Sequence, residues 1–295
     1  MLSVANYVMK GPMQAYIAIL LLSALTVWIA PFGVLVGAII ALVTLRVGEQ
    51  EGLKVLAAAM VVNLGLSFAM SGSIWPGLVS VMEYMLPIWL LSWVLRNTGS
   101  MALSLTLDML LVGGGVIAFH LAVGDTTVWW QSVMTEFVKP VFDQAGTPYP
   151  EAMLAELVQV ATMLLAMFVV LLWFAIVLLG RWWQSALYVP GQFRADFYEI
   201  RLPKGLAGLA VLVALVGLFT QSDLIQDLSG VLMAGLLFQG LAVAHHTVNK
   251  RQMSTFWLGG LYVLLFLFPQ AILILATIGL IDIWVDIRNR WTEAE

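Results

Sequence analysis

The sequence contains no cysteine among its 295 residues, which removes disulfides, thiolate metal sites and cysteine nucleophiles and leaves the redox compartment open. Charge is also scarce. Only 10% of the residues are Asp, Glu, Lys or Arg, against roughly a quarter in soluble domains. No basic run or basic domain is present, so no nucleic acid partner is expected. A Gly-x-Ser-x-Gly elbow, a phosphate-binding loop and a His-Glu-x-x-His pair are all missing. With no second domain to hold a nucleotide, a self-sufficient ATP-driven pump is excluded, and neither an enzyme nor a cofactor is expected. No small-x-small cleavage site follows the first apolar run, which reads as an uncleaved span. Low-complexity tails and internal repeats are absent too, and residues 1–295 read as one integral membrane domain.

What fills the chain is apolar, with 62% hydrophobic residues and a mean hydropathy of +0.98. Apolar runs fall near 12–30, 31–45, 53–71, 76–95, 101–122, 157–180, 205–220, 229–248 and 255–287, and none alternates as a β-barrel strand would. The expectation is all-α: a polytopic transmembrane helical bundle of about eight to ten segments. Basic residues collect on the cytoplasmic side of membrane proteins. With Lys10 inside and one crossing per run, Arg46, Lys54, Arg96, the Arg181–Lys204 group and Lys250–Arg251 all fall inside. A turn at Pro269 splits the last run in two and returns Arg288 and Arg290 inside as well. Lys139 is then left outside, of thirteen Lys and Arg. This favours about ten segments in a bacterial inner membrane with both termini cytoplasmic. The segment 255–268 would then span only about 20 Å, so a kinked single helix and a re-entrant pair are the alternatives.

Two connections stand out. In the external loop 123–156, Trp129, Val133 and Phe137 recur every four residues. That spacing predicts an amphipathic helix ending near Pro140, lying on the outer leaflet or capping the bundle. Asp125, Glu136, Asp143, Glu151, Glu156, Asp223 and Asp227 make the outer side acidic, which reads as passive sorting or as a cation-attracting vestibule. The cytoplasmic loop 181–204 places Arg181 and Trp182-Trp183 at a span exit as interface anchors. Its stretch "QFRADFYEIRLP" puts Phe193, Phe197 and Ile200 on one side of a short helix with Arg194 and Arg201 at its ends. This helix lies on the inner leaflet or offers a docking surface.

Polar groups at membrane depth are costly, and each asks for a reason. Glu83 and Asp108 are candidates for a ligand or proton site, with Asn63 beside them. Pro87 frees the Glu83 carbonyl and predicts a bent helix there. Asn63, Gln159, Gln239 and Gln270 also read as hydrogen bonds between helices, and His120, near the outer surface, needs no role. Adjacent His245 and His246 point about 100° apart on a helix and make a poor chelate, so no metal is expected. Gly33, Gly37 and Ala41 form a small-residue stripe that packs internally or docks a partner. Gly113-Gly114-Gly115 marks a break, a hinge or a cavity wall. Asp286 and Arg290 stand at pairing distance on a helix, leaving Asp282 a step deeper without an evident partner.

The string "GRWWQSALYVPGQFRADFYEIRLPKG" at 180–205, with "FQGLAVAHH" at 238–246 and "FPQAILILATIGLIDIWVDIRNR" at 268–290, resembles the YybS-like family of bacterial inner-membrane proteins. The hairpin "APFGVLVGAIIALV" is more distantly similar to the substrate-binding subunits of energy-coupling-factor transporters. That resemblance implies a small-molecule binding or transport subunit, with Glu83, Asp108 and Asn63 as its polar site. The other reading is a non-transporting assembly protein that docks another membrane protein or a second copy of itself. It would use Gly33, Gly37 and Ala41 together with Arg181, Arg194 and Arg201. Membrane lipids are partners in either case.

Overall fold

The structure, a computed structural model, describes residues 1–26 and 28–290, the last of them by its backbone alone. Every regular element in it is helical. In chain order these are α1 (Leu2–Val8), α2 (Pro12–Thr26), α3 (Phe32–Arg46), α4 (Glu49–Ser71), α5 (Trp75–Thr98), α6 (Met101–Val123), α7 (Thr126–Val133) and α8 (Lys139–Ala145). They continue with α9 (Glu151–Tyr188), α10 (Gln192–Tyr198), α11 (Lys204–Phe219), α12 (Asp223–Lys250), α13 (Phe256–Leu267), α14 (Ala271–Val285) and α15 (Ile287–Arg290). Five of them, α4, α5, α6, α9 and α12, are long and apolar enough to cross a membrane. The apolar helices α2, α3, α11, α13 and α14 are shorter. The final run is two helices, parted at Phe268–Gln270, because Pro269 can neither donate to the preceding turn nor leave room for its carbonyl. Gly72 and Gly99 end α4 and α5 in the left-handed conformation, with φ of 69° and 66°, where a side chain would be strained.

The chain divides into two compact units, Met1–Asp108 with Leu172–Ile200, and Met109–Leu171 with Arg201 onward. In the first, α3 is the centre and is buried from Val36 to Leu45. Its stripe of small residues explains why. A methyl group on Gly37 would stand 2.8 Å from both Ile88 and Ile176, and one on Gly180 would stand 2.6 Å from Ala41. Gly33 faces Thr26 and Tyr84. The stripe therefore seats α5 and the second half of α9 against α3. Gly33, Gly37 and Ala41 are covered by the chain's own helices, which corrects their reading as a docking face.

In the second unit α12 holds the centre, with a buried run from Gly230 to Val243. It runs parallel to α14, and their backbones touch at Gly240 and Gly279. Asp282 and Asp286 lie at the end of that pair; the expected partner of Asp286, the Arg290 side chain, lies outside the described residues.

Three expectations are corrected. The external amphipathic helix does not end near Pro140. A π-helical turn at Met134–Val138 sits just before it, and α8 continues through the proline. Val81–Met85 forms the same kind of turn two residues before Pro87, with the Leu86 amide donating to the Val81 carbonyl. Widening a turn to five residues is how a helix accepts a proline without a full break. Second, α6 passes through Gly113-Gly114-Gly115 with no interruption. Third, the helix does not end at Arg181: α9 runs on to Tyr188, and of the two tryptophans expected as interface anchors Trp182 is exposed whereas Trp183 is fully buried. Beyond it, Phe197 and Ile200 are buried as well. Phe197 of α10 and Ile200 just past it thus pack into the protein's own core, with Phe193 half-buried beside them.

Candidate functional site

The three polar residues expected to share a site do not form one. Asn63 donates to the Ala59 carbonyl at 2.9 Å and to Ser23 Oγ at 3.4 Å, a link between α4 and α2. Glu83 is exposed, on the side of its π-turn opposite buried Val81 and Met85, so its reading as a buried carboxyl is corrected. Asp108 is fully buried, and neither of its carboxyl oxygens has a hydrogen-bond partner. Of the basic candidates, Arg181 donates to Asp196 at 2.9 Å and to Gln184. Arg201 pairs with Asp286 at 2.7 Å, and Arg194 is exposed. Gln159 is exposed as well, and its carbonyl accepts from Gln226 at 3.4 Å.

The second unit holds polar pairs that spacing alone does not reveal. His120 Nε2 lies 2.7 Å from Asp227 Oδ2, with the two side chains 13% and 3% exposed. This joins α6 to α12 and gives His120 the role that the sequence denied it. Farther along α12, Gln239 is buried; its Oε1 accepts from the Leu202 amide at 2.8 Å and its Nε2 donates to Asp282 Oδ2 at 3.0 Å. Arg288 donates to the same Oδ2 at 2.7 Å. Asp282 is fully buried and Arg288 is 4% exposed, so α12, α14, α15 and the segment that leads into α11 are tied together by one ionic node. Gln239 lies 37 positions from Leu202 and 43 from Asp282, and Arg288 stands six beyond Asp282. A spacing of six shares no helix face, which is why Asp282 has no evident partner in the sequence.

Four residues beyond Asp282, Asp286 sits at the C-terminus of α14 with φ of 53°, a conformation that Asp tolerates better than most residues. Burial alone would raise its carboxyl pKa, but the hydrogen bond from Asn289 and the Arg201 charge more than offset that and hold it below the usual value. A depressed carboxyl contributes stability above its unfolded value, near 3.9, and loses that contribution as the pH falls through its lower folded value. The pair is partly exposed, so the effect is small, under about 1 kcal/mol. Asp286→Asn is therefore expected to unfold slightly earlier than wild type at neutral pH. The gap should close under strongly acid conditions when both are followed by thermal denaturation in detergent.

The second unit also holds an open cleft of about 480 Å³ between α11, α12 and α14. Ala210, Val213, Leu236, Ala276 and Leu280 form its apolar floor, whereas Thr220, Gln221, Ser222, Gln226 and Ser229 gather at the end nearest the α11–α12 turn. No Asp, Glu, Lys, Arg or His lines it. Such a wall binds apolar surface and orients one polar group at its mouth. His245 lies 2.9 Å from the Tyr262 hydroxyl, and no cluster of three metal-ligating side chains occurs among the described residues.

The model of one protein family, described as "Predicted membrane protein (DUF2232)", matches residues 15–283. No curated protein and no solved structure matches the chain.

Proposed function

The chain belongs to the DUF2232 family of predicted membrane proteins, and on that premise we propose that it is a non-catalytic subunit that binds, and helps to move, a small and mainly apolar molecule. The observation that carries this reading is the cleft of about 480 Å³, apolar at its floor and polar at one end. Its size falls in the ordinary range of small-molecule sites. The distant similarity of the hairpin "APFGVLVGAIIALV" to the substrate-binding subunits of energy-coupling-factor transporters supports the same class of activity. The grouping of basic residues supports a bacterial inner-membrane location with both termini in the cytoplasm. In this reading the ligand's polar group is held by Ser222, Gln226 and Ser229, and Glu83, Asp108 and Asn63 take no part.

The test is to fill the cleft from its exposed wall. Ala214 and Gly217 line it and are exposed, so Ala214→Trp and Gly217→Phe occupy ligand space without displacing the buried helix contacts. A metabolite and lipid panel is screened by thermal shift on purified wild-type protein. A ligand present at a hundred times its Kd should stabilise the fold by about 2.7 kcal/mol. Both variants are expected to keep the unliganded melting temperature and to lose that shift. A shift of equal size in the variants would place the ligand elsewhere and defeat the proposal.

A further inference from the structure

The first unit carries a different kind of cleft. At the shared end of α3, α5 and α9, Leu45, Leu95, Arg96, Asn97, Arg181 and Gln184 surround a space of about 390 Å³ whose walls are mainly polar. Three guanidinium groups stand at this end of the unit. Arg181 is matched by Asp196. Arg46 lies over the Tyr188 ring, 3.9 Å from its centroid. Arg96 uses one nitrogen, Nη1, on the Leu45 and Thr44 carbonyls, at 2.7 and 3.3 Å. Among the described residues it makes no ion pair with a carboxylate, and its side chain is exposed. The other acid nearby, Glu49, accepts from Trp93 Nε1 at 2.6 Å and from Asn97 Nδ2 at 3.5 Å. Neither Arg46 nor Arg96 is paired with a carboxylate among the described residues, and of the two it is Arg96 that lines the cleft and stands exposed at its mouth.

The residues along α5 say what kind of anion would fit. Trp89, Trp93, Arg96 and Asn97 recur at spacings of four and three to four, which places them on one face of the helix. Trp93 is 40% exposed. Indole rings favour the depth at which lipid headgroups meet the hydrocarbon, and here they lead directly to the guanidinium. A planar guanidinium presents paired donors matched to phosphate oxygens, which an ammonium does not. Basic clefts between spanning helices at the inner face of a membrane are suited to anionic headgroups. We propose that the Arg96–Arg181 cleft is a binding site for a phosphate oxyanion, filled by the phosphodiester of an anionic phospholipid whose chains lie along Trp89 and Trp93. Arg96 supplies the charge that binds it. Arg181 and Asn97 supply further N–H donors from the walls.

The experiment uses the full chain in detergent, with native mass spectrometry to count retained lipid. Phosphatidylglycerol is titrated against diacylglycerol, which has the same chains and no phosphate. Wild type is expected to retain phosphatidylglycerol preferentially. Arg96→Gln is expected to weaken that retention about tenfold, the order expected for losing one charge-assisted contact. Since Arg96 also holds the α3 carbonyls, Asn97→Glu serves as the second variant. It leaves those bonds in place, adds a negative charge to the cleft wall, and should weaken retention to a similar degree. Arg194→Gln, on the exposed side of α10, should behave as wild type. Inorganic phosphate, added alone and followed by ³¹P line broadening, separates the two sources of the same chemistry. Broadening that disappears in Arg96→Gln assigns the site to free phosphate as well; phosphatidylglycerol retention without broadening assigns it to the headgroup. Equal retention of phosphatidylglycerol and diacylglycerol by wild type, with no phosphate broadening, would overturn the proposal. So would wild-type retention in both Arg96→Gln and Asn97→Glu.

Discussion

Replacing Arg288 with Met is expected to destabilise the protein by about 3–5 kcal/mol, the cost of leaving one member of a buried ion pair without the other. The size of the effect follows from where the pair sits. Asp282 is fully buried, and its Oδ2 accepts from Arg288 at 2.7 Å and from Gln239 at 3.0 Å. Without Arg288 a buried carboxylate keeps a single neutral donor. That donor also holds the Leu202 amide at 2.8 Å, so the loosening reaches the start of α11. Asp282→Leu alone removes the buried carboxylate to which Arg288 donates at 2.7 Å and should also destabilise the protein. The double variant Asp282→Leu with Arg288→Met removes both charges together, and should recover much of the loss, since apolar replacement of a whole buried pair is often near neutral. The exposed pair Arg201–Asp286, at the same 2.7 Å, supplies the contrast: Arg201→Gln should cost less than about 1 kcal/mol. Equilibrium unfolding in mixed micelles measures all four. If Arg288→Met unfolds with wild type to within about half a kcal/mol, the pair is screened and the node does not hold these helices together.

The apolar helices and the turn at Pro269 were legible because a bilayer imposes length and hydropathy on each span separately. A spanning run declares itself within a score of residues, and proline and glycine mark its ends. What each side chain faces was not legible. The spanning helices are apolar nearly all round, so periodicity does not say that Val81 and Met85 point inward and Glu83 outward. The spacing of Gly33, Gly37 and Ala41 is the same whether the covering helix belongs to this chain or to another. Trp183 shows the same limit: an indole beside an arginine marks an interface in many membrane proteins, yet here α9 simply continues past it. His120 and Asp227 were hidden by distance along the chain, 107 positions, and Asp282 and Arg288 by a spacing of six that shares no helix face. One signal is present in the sequence itself: Asp282 sits deeper in its apolar run than an acid tolerates unpaired, which implies a buried partner.

Gly279→Ala and Gly240→Ala form the second large expectation. A methyl group at Gly279 would run into the Leu236 carbonyl and stand 2.8 Å from the Gly240 amide nitrogen; at Gly240 it would run into the Leu275 carbonyl. The obstacles are backbone atoms, so no rotamer change relieves them, and the two helices must separate. Inside a membrane nothing but packing and hydrogen bonding holds such helices together, which is why small residues occupy their closest approach. Each substitution is therefore expected to cost about 3 kcal/mol, the upper part of the range for overpacking. Separation of α12 from α14 would also stretch the Gln239–Asp282 bond at 3.0 Å. Either glycine variant combined with Asp282→Leu should thus lose less than the sum of the two singles. Gly114→Ala is the control. No atom lies within 4 Å of where its methyl group would stand, and Ala is the better helix former by about 0.8–1.0 kcal/mol, so this variant should melt at or above wild type. Intrinsic helix propensity favours alanine at all three positions. A result in which Gly279→Ala and Gly114→Ala both stabilise would mean that propensity decides and that α12 and α14 do not meet backbone to backbone. Opposite signs at the two sites would locate the tightest contact of the second unit at a pair of glycines.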